Sequence, residues 1–315
     1  MLIMDFIVKS NDMPTDYGRY PGARPVEELL KSGFILLDKW PGPTSRDVAS
    51  TVKKILGAGK SGHCGTLDPS VSGVLPLCLD SATKVMPALQ GLDKEYVGVM
   101  RLHKDVGKAE LLATTKKFIG KIKQTPPVRS AVARRERERN VYSFDILEVD
   151  GRDVLFRMSC QAGTYVRVVC HQIGKLIGGA NMTELRRTKV GRFTEEKLVR
   201  MEDLADAYAE WKENGSEEIR NCVLPMEAAI EHLPKIIIKD SSVFSIASGS
   251  PLYSVGISKV SKGIAPGELV AILTLKGELV ALSKAVMTSE EMAKRKGVAA
   301  KTDSVVMDRK IYPKM

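Results

Sequence analysis

The sequence predicts a mixed α/β or α+β fold for most of the chain, followed by a small all-β domain. Short apolar runs typical of buried strands alternate with segments of helical spacing over the first part of the chain. The pattern of apolar residues changes near residue 232, after a stretch of helical spacing and a break at NGSEE. Beyond Pro234 the chain consists of short strand-like runs separated by turn signals such as SKGIAPG, which is typical of a small barrel or sandwich.

The first elements follow from apolar runs and their punctuation. Residues 34–40, FILLDKW, predict a short buried strand that PGPTS stops. Thr44 or Ser45 is expected to cap a helix over DVASTVKKIL, which Gly57 ends. The run VLPLCL, after the loop GHCGTLDP, predicts a second buried strand.

In the next elements, segments with the two-residue alternation of a strand are followed by segments with the 3.6-residue spacing of a helix. KEYVGVMRL and DVLFRMSCQ alternate like strands, whereas AELLATTKKFIG and TYVRVVCHQIGKLIG have helical spacing and end at glycines. MEDLADAYAEWKE and LPMEAAIEHL predict a longer and a shorter helix. KIIIKD, PLYSVGI, GELVAIL and GELVALSKAV predict the strands of the C-terminal domain.

Composition narrows the class of protein. The 315 residues carry 48 basic and 38 acidic side chains, a net charge of +10 that favours a polyanionic partner, most often nucleic acid. A generic basic surface is the alternative. Five cysteines without C-x-x-C spacing are typical of reduced thiols and indicate neither a disulfide framework nor a zinc site. No apolar run approaches the roughly 18 residues that cross a membrane, so a cytoplasmic protein is expected.

Asp68 is the most conspicuous polar residue of the chain. It lies in GHCGTLDPSVSG among turn-forming residues, and no other acid occurs within ten residues on either side. Taken alone, it is more often a turn residue that bonds its own backbone. The functional alternative is a nucleophile or base, which must stay ionised and therefore needs a positive partner.

AGTYVRVVCHQIG offers that partner. Arg167 lies at the start of the predicted helix, and arginine suits forked pairing with a carboxylate, although it could equally be an ordinary surface arginine. Tyr165 in the same turn and Tyr96 on a predicted strand are aromatic candidates, but a strand tyrosine is more often a core residue. The run from 129 to 139 contains five arginines, among them Arg129, Arg134 and Arg135, and is either a solvated face or a phosphate-binding track.

Six segments together resemble the TruB/dyskerin family of pseudouridine synthases. In chain order they are LDKWPGPTS, GHCGTLDPSVSGVLPLCL, KEYVGVM, QTPPVRSAV, AGTYVRVVCHQIG and ELRRTKVGRF. The resemblance implies a catalytic domain over 31–232 and a PUA domain, a small RNA-binding β-barrel, over 233–315. Residues 1–30 would be an N-terminal extension that packs on the PUA domain. Within the family, the chain is most similar to the archaeal, H/ACA-guided, dyskerin-like branch.

The resemblance also implies roles for individual residues. Asp68 matches the catalytic aspartate, Arg167 the arginine that pairs with it, Tyr96 the tyrosine that stacks on the target base, and Tyr165 a neighbour that lines the pocket. Three further residues would bind or enclose the substrate: Leu185, as an apolar wall, with Lys39 and His63 in motifs that shape the pocket and meet RNA.

Four positions depart from the family pattern without removing a catalytic group. Trp40 stands where proline is usual, Arg46 where histidine is common, Cys64 in place of serine, and Gln161 in place of an acid.

The implied function is the isomerisation of uridine to pseudouridine in rRNA or tRNA, with no metal or other cofactor. The implied partners are an H/ACA guide RNA, the substrate RNA and three small proteins of that particle. One alternative is a stand-alone enzyme that modifies the T-loop of tRNA, against which the short segment between Leu102 and QTPPVRSAV argues. A non-catalytic RNA-binding scaffold is an alternative of a different class, and a glycosidase or other hydrolase is a more distant one.

Overall fold

The computed structural model describes residues 5–126 and 135–315 as strands, helices and connecting turns. The strands are β1 (Phe6–Val8), β2 (Gly33–Lys39), β3 (Ser61–His63), β4 (Ser72–Leu79), β5 (Lys94–Leu102), β6 (Gly120–Gln124), β7 (Arg137–Asp150), β8 (Asp153–Cys160), β9 (Ala180–Val190), β10 (Phe193–Thr194), β11 (Leu224–Pro225), β12 (Lys235–Ile238), β13 (Leu252–Tyr253), β14 (Ile257–Ser261), β15 (Leu269–Leu273), β16 (Leu279–Ala285) and β17 (Val298–Val305). The helices are α1 (Val26–Leu30), α2 (Ser45–Ile55), α3 (Met86–Gln90), α4 (Lys108–Lys116), α5 (Val166–Ile177), α6 (Met201–Asn214), α7 (Ile219–Cys222), α8 (Asp240–Ala247) and α9 (Ser289–Lys294).

The larger sheet is mixed, as the sequence predicts. Its strand order is β11-β2-β4-β9-β5-β8-β7-β6, with β3 beside β4 and β10 beside β9. All of these pairs are antiparallel except β4 and β9, which run parallel. The candidate site forms around this parallel pair, because β4 follows the Asp68 loop and β9 carries ELRRTKV.

The central part of strand β2, residues 34–37, is continuously apolar because both of its faces are buried. Ile35 and Leu37 belong to the core that also contains α2 and α5. Phe34 and Leu36 point into a second core, which they share with residues of the smaller sheet such as Leu273. A continuous run of apolar residues, rather than an alternating one, is what a strand buried on two sides requires. The two sheets therefore meet through an apolar interface.

The helices that flank the site begin and end where the sequence indicates. Thr44 caps α2 in a capping box: its side chain accepts the Asp47 backbone N–H, and the Asp47 carboxylate accepts the Thr44 N–H. Helix α5 ends at Gly178, whose φ of +89° is readily adopted only by glycine. The predicted short helix in LPMEAAIEHL is instead strand β11, paired with β2, followed by a 3-10 helix over Met226–Ile230.

The smaller sheet is a single curled layer with the order β1-β14-β12-β15-β16-β17-β13. The predicted C-terminal strands belong to this sheet. The connections between them contain two short helices, α8 and α9, that the strand pattern did not reveal. Helix α9 starts at a second capping box, formed by Thr288 and Glu291.

The N-terminal segment lies against the smaller sheet. Strand β1 pairs antiparallel with β14, with Ile7 opposite Val260. Further along, Thr15 donates its N–H and its hydroxyl to Asp240 Oδ2, both at 2.7 Å. Within the described ranges, no helix is both long and apolar enough to cross a membrane.

Candidate active site

The loop that carries Asp68 is anchored on both sides by the loop that precedes α2. The Ser45 hydroxyl donates to the Leu67 carbonyl at 3.0 Å and accepts the Leu67 N–H at 2.9 Å. On the other side of the aspartate, the Gly42 N–H donates to the Pro69 carbonyl at 2.8 Å. The backbone on either side of Asp68 is therefore fixed, which fixes the direction of the carboxylate.

Lys39 ties the same two loops together from beneath. Its side chain is fully buried, and its ammonium donates to the carbonyls of Trp40, Pro69 and Val71 at 2.9, 3.1 and 2.8 Å. Burial lowers the pKa of Lys39, while the Asp68 carboxylate acts in the opposite direction. An ammonium has three donors, and here all three are used on the loops that hold Asp68.

Arg167 is paired with Asp68. Its Nη2 donates to Asp68 Oδ2 at 2.6 Å, and the two side chains remain 52% and 48% exposed. Arg167 lies in the first turn of α5. Two residues earlier, the backbone of Tyr165 is clamped by buried Gln124, which accepts the Tyr165 N–H at 3.0 Å and donates to the Tyr165 carbonyl at 3.1 Å. The carboxylate is thus oriented by the guanidinium and accessible to a ligand.

Tyr96 and Leu185 line the sheet behind this ion pair. Tyr96 lies on β5 opposite Arg187 of β9, and Leu185 lies two residues before Arg187, so all three side chains are on one face. Tyr96 and Leu185 are each only 9% exposed. Burial raises the pKa of the Tyr96 hydroxyl, the neighbouring guanidinium of Arg187 opposes this, and Asp68 is close enough to add to the rise.

Arg187 is the residue that sequence reasoning missed. It is 1% exposed, its Nε donates to the Val74 carbonyl at 2.8 Å, and its Nη2 is buried with no hydrogen-bond partner. Within the described residues it forms no ion pair, so a buried cation lies next to Tyr96 without a carboxylate to neutralise it. The adjacent Arg186 points to the other face and is bonded to Asp38 and Glu195. Alternation along β9 was the available signal. Successive side chains of a strand point to opposite faces, so one of two consecutive arginines must face inwards.

Arg187 raises the positive potential of its surroundings. Burial lowers the pKa of Lys94 to about 8, and Arg187 contributes in the same direction. The pKa of His63 is lowered by burial, then by Arg187 and Arg46, so its imidazole is neutral at pH 7. His63 Nε2 lies 3.2 Å from Thr66 Oγ1, two residues before Asp68.

The structure therefore brings most of the predicted site residues to one region. The residues around the end of the β4–β9 pair are Asp68, Arg167, Lys39, Tyr96 and Leu185. His63 ends the neighbouring strand β3, and Tyr165 lies on the turn before α5. Arg135 is exposed just before β7, and Arg129 and Arg134 lie outside the described residues. In the part of the chain that the structure describes, no group of three or more His, Cys, Asp or Glu side chains is arranged to hold a metal ion.

An oriented carboxylate beside a buried aromatic residue, in a strongly cationic protein, suits chemistry on a nucleoside extruded from RNA. With the mixed sheet and the second, small β domain, this site agrees with the class that the sequence motifs resemble, the RNA pseudouridine synthases.

Comparison with known proteins gives the particular family: the chain belongs to the TruB family of pseudouridylate synthases. The model of the N-terminal domain of that family matches residues 53–111 and 103–166, and the model of the tRNA pseudouridylate synthase B C-terminal domain matches 167–231. A DKCLD domain matches 3–49 and a PUA domain matches 234–306.

Relatives align over almost the full chain. A probable tRNA pseudouridine synthase B of Pyrococcus abyssi is 53% identical over 99% of this chain and 95% of its own, and that of Methanopyrus kandleri is 51% identical over 98% and 93%. The crystal structure of a Cbf5-Nop10-Gar1 complex contains a chain with a TM-score of 0.92 and 50% identity, covering 100% of this chain and 97% of that one. The structure of an H/ACA RNP bound to a substrate RNA containing 2'-deoxyuridine contains a chain with a TM-score of 0.91 and 48% identity. The match covers 99% of this chain and 98% of that one. The predicted resemblance is confirmed.

Proposed function

We propose that this protein converts uridine to pseudouridine in RNA as the catalytic subunit of an H/ACA guide ribonucleoprotein. The observation that carries the proposal is the half-exposed ion pair of Asp68 and Arg167 at 2.6 Å, held by two anchored loops in front of buried Tyr96. The full-length similarity to chains in Cbf5-Nop10-Gar1 and H/ACA RNP structures supports the choice of partners.

The reaction is an isomerisation, so one carboxylate is sufficient. The N1–C1′ bond of the uridine breaks, the uracil turns, and a new bond joins C5 to C1′. The proton lost from C5 is balanced by the proton gained at N1, and nothing is added or removed overall. Asp68 either attacks C1′ or removes a proton from the ribose, and both roles require the ionised carboxylate that Arg167 orients. No water attacks, and therefore no second carboxylate is needed as in a glycosidase pair.

The target uridine must leave the RNA stack before it can react. Tyr96 offers its ring in place of the lost stacking, and Leu185 closes the pocket on the same face of the sheet. Arg187 and Lys94 place positive charge behind the pocket, where it would stabilise the negative charge that develops on the uracil as its bond to C1′ breaks. Lys39 would support the two loops from below, because it is fully buried and its three donors are used on their carbonyls. His63 would shape the entrance, and Tyr165 would line it beside Arg167.

The proposed partners are a guide RNA, a substrate rRNA or tRNA, and three small proteins of the particle. The guide would choose the target uridine by base pairing, while this chain supplies the chemistry. The exposed Arg135, with Arg129 and Arg134, is proposed to contact phosphates. We further propose the domain limits 1–30, 31–232 and 233–315, and a cytoplasmic location for a chain whose cysteines are free and buried.

A second candidate function is guide-independent modification of tRNA. The relatives named probable tRNA pseudouridine synthase B favour it. The same ion pair would serve both substrates, so the two functions differ only in what brings the uridine to Asp68. A non-catalytic RNA-binding scaffold is a third candidate, and the anchored ion pair argues against it.

One experiment separates these functions. The purified chain is incubated with an rRNA-like substrate or with tRNA, with and without guide RNA and the three partner proteins. Because the two isomers have equal mass, pseudouridine is located by mass spectrometry after labelling with a carbodiimide that remains selectively on pseudouridine. We expect conversion of the guided uridine only when the guide is present. Conversion of tRNA alone would favour the stand-alone enzyme, and no pseudouridine in any mixture would overturn the catalytic proposal.

A further inference from the structure

Trp40 is an aromatic residue whose side chain the protein covers only in part. Its side chain is 42% exposed. Among the described residues its ring makes no aromatic or cation–π contact and its indole N–H has no hydrogen-bond acceptor. The other tryptophan, Trp211, behaves differently: its ring centroid lies 5.6 Å from that of Tyr208, and Lys212 Nζ lies 4.9 Å from the Trp211 centroid. A large apolar ring left in water with an unused donor is unfavourable unless something covers it.

The backbone holds Trp40 next to the Asp68 loop. The ammonium of Lys39 bridges the carbonyls of Trp40 and Pro69, at 2.9 and 3.1 Å. Two residues later the Gly42 N–H donates to the same Pro69 carbonyl at 2.8 Å. Pro69 directly follows Asp68, so the backbone of Trp40 is held beside the loop that carries the Asp68 carboxylate.

The charge around this rim suits a polyanion. Arg46 is exposed at the start of α2 and is close enough to His63 to lower its pKa. Arg167 is half exposed beside Asp68. An RNA strand whose uridine enters the site would therefore pass between cationic side chains with Trp40 beside it, and an aromatic ring among cations is the usual arrangement for single-stranded nucleic acid.

We infer that Trp40 stacks on the base directly next to the target uridine in the substrate strand. The inference rests on the proposed function and deepens it. When the uridine is extruded, its neighbours lose a stacking partner, and an exposed indole at the rim replaces it for one of them. Every base has a π-face, so this contact would hold the strand in register without reading its sequence. Trp40 would then be a substrate-positioning residue, outside the bond-making chemistry.

The first test observes the ring itself. The chain has two tryptophans, so 5-fluorotryptophan gives two fluorine resonances, which the Trp211→Phe variant assigns. Adding guide RNA with its substrate strand should shift the Trp40 resonance and leave that of Trp211 in place. Two further strands carry an abasic residue on the 5′ or the 3′ side of the target, and one of them should abolish the shift. A Trp40 resonance unmoved at saturating RNA, or shifted equally by both abasic strands, would overturn the inference.

The second test measures the contribution to binding. Trp40→Ala should raise the KM for the substrate strand by roughly 5- to 150-fold, the range that loss of one stacked base produces. The change in kcat should be smaller. Trp40→Phe should recover part of the loss, and Tyr20→Ala, which removes another exposed aromatic, should leave KM unchanged. Melting temperatures of the Trp40 variants should stay close to that of the parent, because the Trp40 ring has no aromatic or cation–π partner to lose among the described residues.

The outcomes separate this inference from the proposed function. Pseudouridine formation with unchanged KM in Trp40→Ala would overturn the inference and leave the enzyme assignment intact. Failure of the parent protein to form pseudouridine would overturn the assignment, whereas the fluorine shift would still decide whether Trp40 stacks on RNA.

Discussion

Tyr96 and Arg187 lie opposite each other on β5 and β9, and the guanidinium is fully buried beside the tyrosine ring. Arg187 Nη1 is also close to the Asp68 loop, 3.2 Å from the point where Gly65 would carry a Cβ atom. A buried cation without a carboxylate costs free energy of folding. Such a residue is placed where its charge is useful, and here its charge lies behind the proposed uracil pocket.

Removing that charge should slow the reaction more than it affects folding. We expect Arg187→Met to lower kcat by about 100-fold, the order found when one preorganised donor is lost, and Arg187→Lys to retain part of the rate. The free energy of unfolding should change by no more than about 2 kcal/mol, because loss of a bond to Val74 is offset by relief of an unpaired charge. Single-turnover kinetics measures the change in rate, and urea unfolding measures the change in the free energy of unfolding.

Arg186→Met is the matched control for Arg187. Arg186 is its neighbour in the chain but faces Asp38 and Glu195 on the other side of the sheet. Its loss should alter stability and leave the rate per folded molecule intact. A folded Arg187→Met protein with the parent rate would show that the buried charge is purely structural.

Asp68→Asn should abolish conversion while leaving RNA affinity largely intact. The amide keeps the size of the side chain but has no charge to attack C1′ or accept a proton. Pseudouridine would be scored by mass spectrometry and affinity by a filter-binding assay. Asp105→Asn removes a carboxylate from an exposed ion pair with Arg152, 2.8 Å long, and should change neither quantity. Full biological activity of the Asp68 variant would favour the scaffold function.

Arg167→Ala should lose most of the rate, and Arg167→Lys much of it. The ammonium of lysine keeps the charge but cannot reproduce the planar geometry with which the guanidinium holds Asp68 at 2.6 Å. The comparison variant is Arg101→Ala, which breaks an exposed ion pair with Asp153 on the same sheet. Steady-state kinetics should show a fall in kcat for both Arg167 variants and an unchanged kcat for the control. Equal rates for Arg167→Lys and the parent would mean that charge alone is sufficient.

Local signals predicted much of the fold around the site. Thr44 is a capping residue followed three positions later by Asp47, and both partners of the capping box are present in the structure. The GTYVR turn predicts a helix that starts near Arg167, and α5 begins at Val166. These elements depend on neighbours in sequence, which is why a pattern reveals them.

Long-range pairings were harder to predict. The arginine-rich run suggested a solvated face or a phosphate track, yet its end begins β7, a strand paired with β6 and β8. Strand alternation indicates that one of Arg186 and Arg187 faces inwards, but it does not show which one is buried, because the environment of Arg187 is assembled from β4, β5 and the Gly65 turn. The pairing of Arg167 with Asp68 was chosen from residue types, and their 99-residue separation in the chain is bridged only by the folded sheet. The assigned roles remain predictions.

The stability of the protein should depend on pH through Lys94. Burial lowers its pKa from 10.5 to about 8 in the folded state. Below about pH 8 both states are protonated and the cost of the buried charge is fully present. Between about pH 8 and 10.5 the unfolded chain binds a proton that the folded chain does not, so the contribution of Lys94 to stability rises with pH.

A difference measurement isolates Lys94 from other groups whose titration affects stability in this range, such as Lys235, whose pKa burial also lowers to about 8. The free energy of unfolding of Lys94→Met relative to the parent should fall by about 2 kcal/mol between about pH 7 and pH 10, as the parent is relieved of its charge. Lys53→Met, which removes an exposed ammonium from α2, is the control for the loss of one charge. A relative stability of Lys94→Met that does not vary with pH would contradict the assignment.

Gly73 should not tolerate even one added carbon. It begins the parallel pairing of β4 with β9, opposite Arg187, and a Cβ there would lie 2.2 Å from the Arg187 carbonyl oxygen. Its φ of +102° is also unfavourable for any other residue. Because the clash is with backbone, the two strands would have to separate, which would displace Arg187 and the end of the Asp68 loop.

We expect Gly73→Ala to lose more than about 3 kcal/mol of stability in urea unfolding, or to be recovered as insoluble protein. Gly91→Ala, where a Cβ meets nothing within 4 Å, should remain soluble and close to the parent in stability. Comparable stability of the two variants would show that the β4–β9 pair can open without cost, and that the close approach beneath Asp68 does not hold the site together.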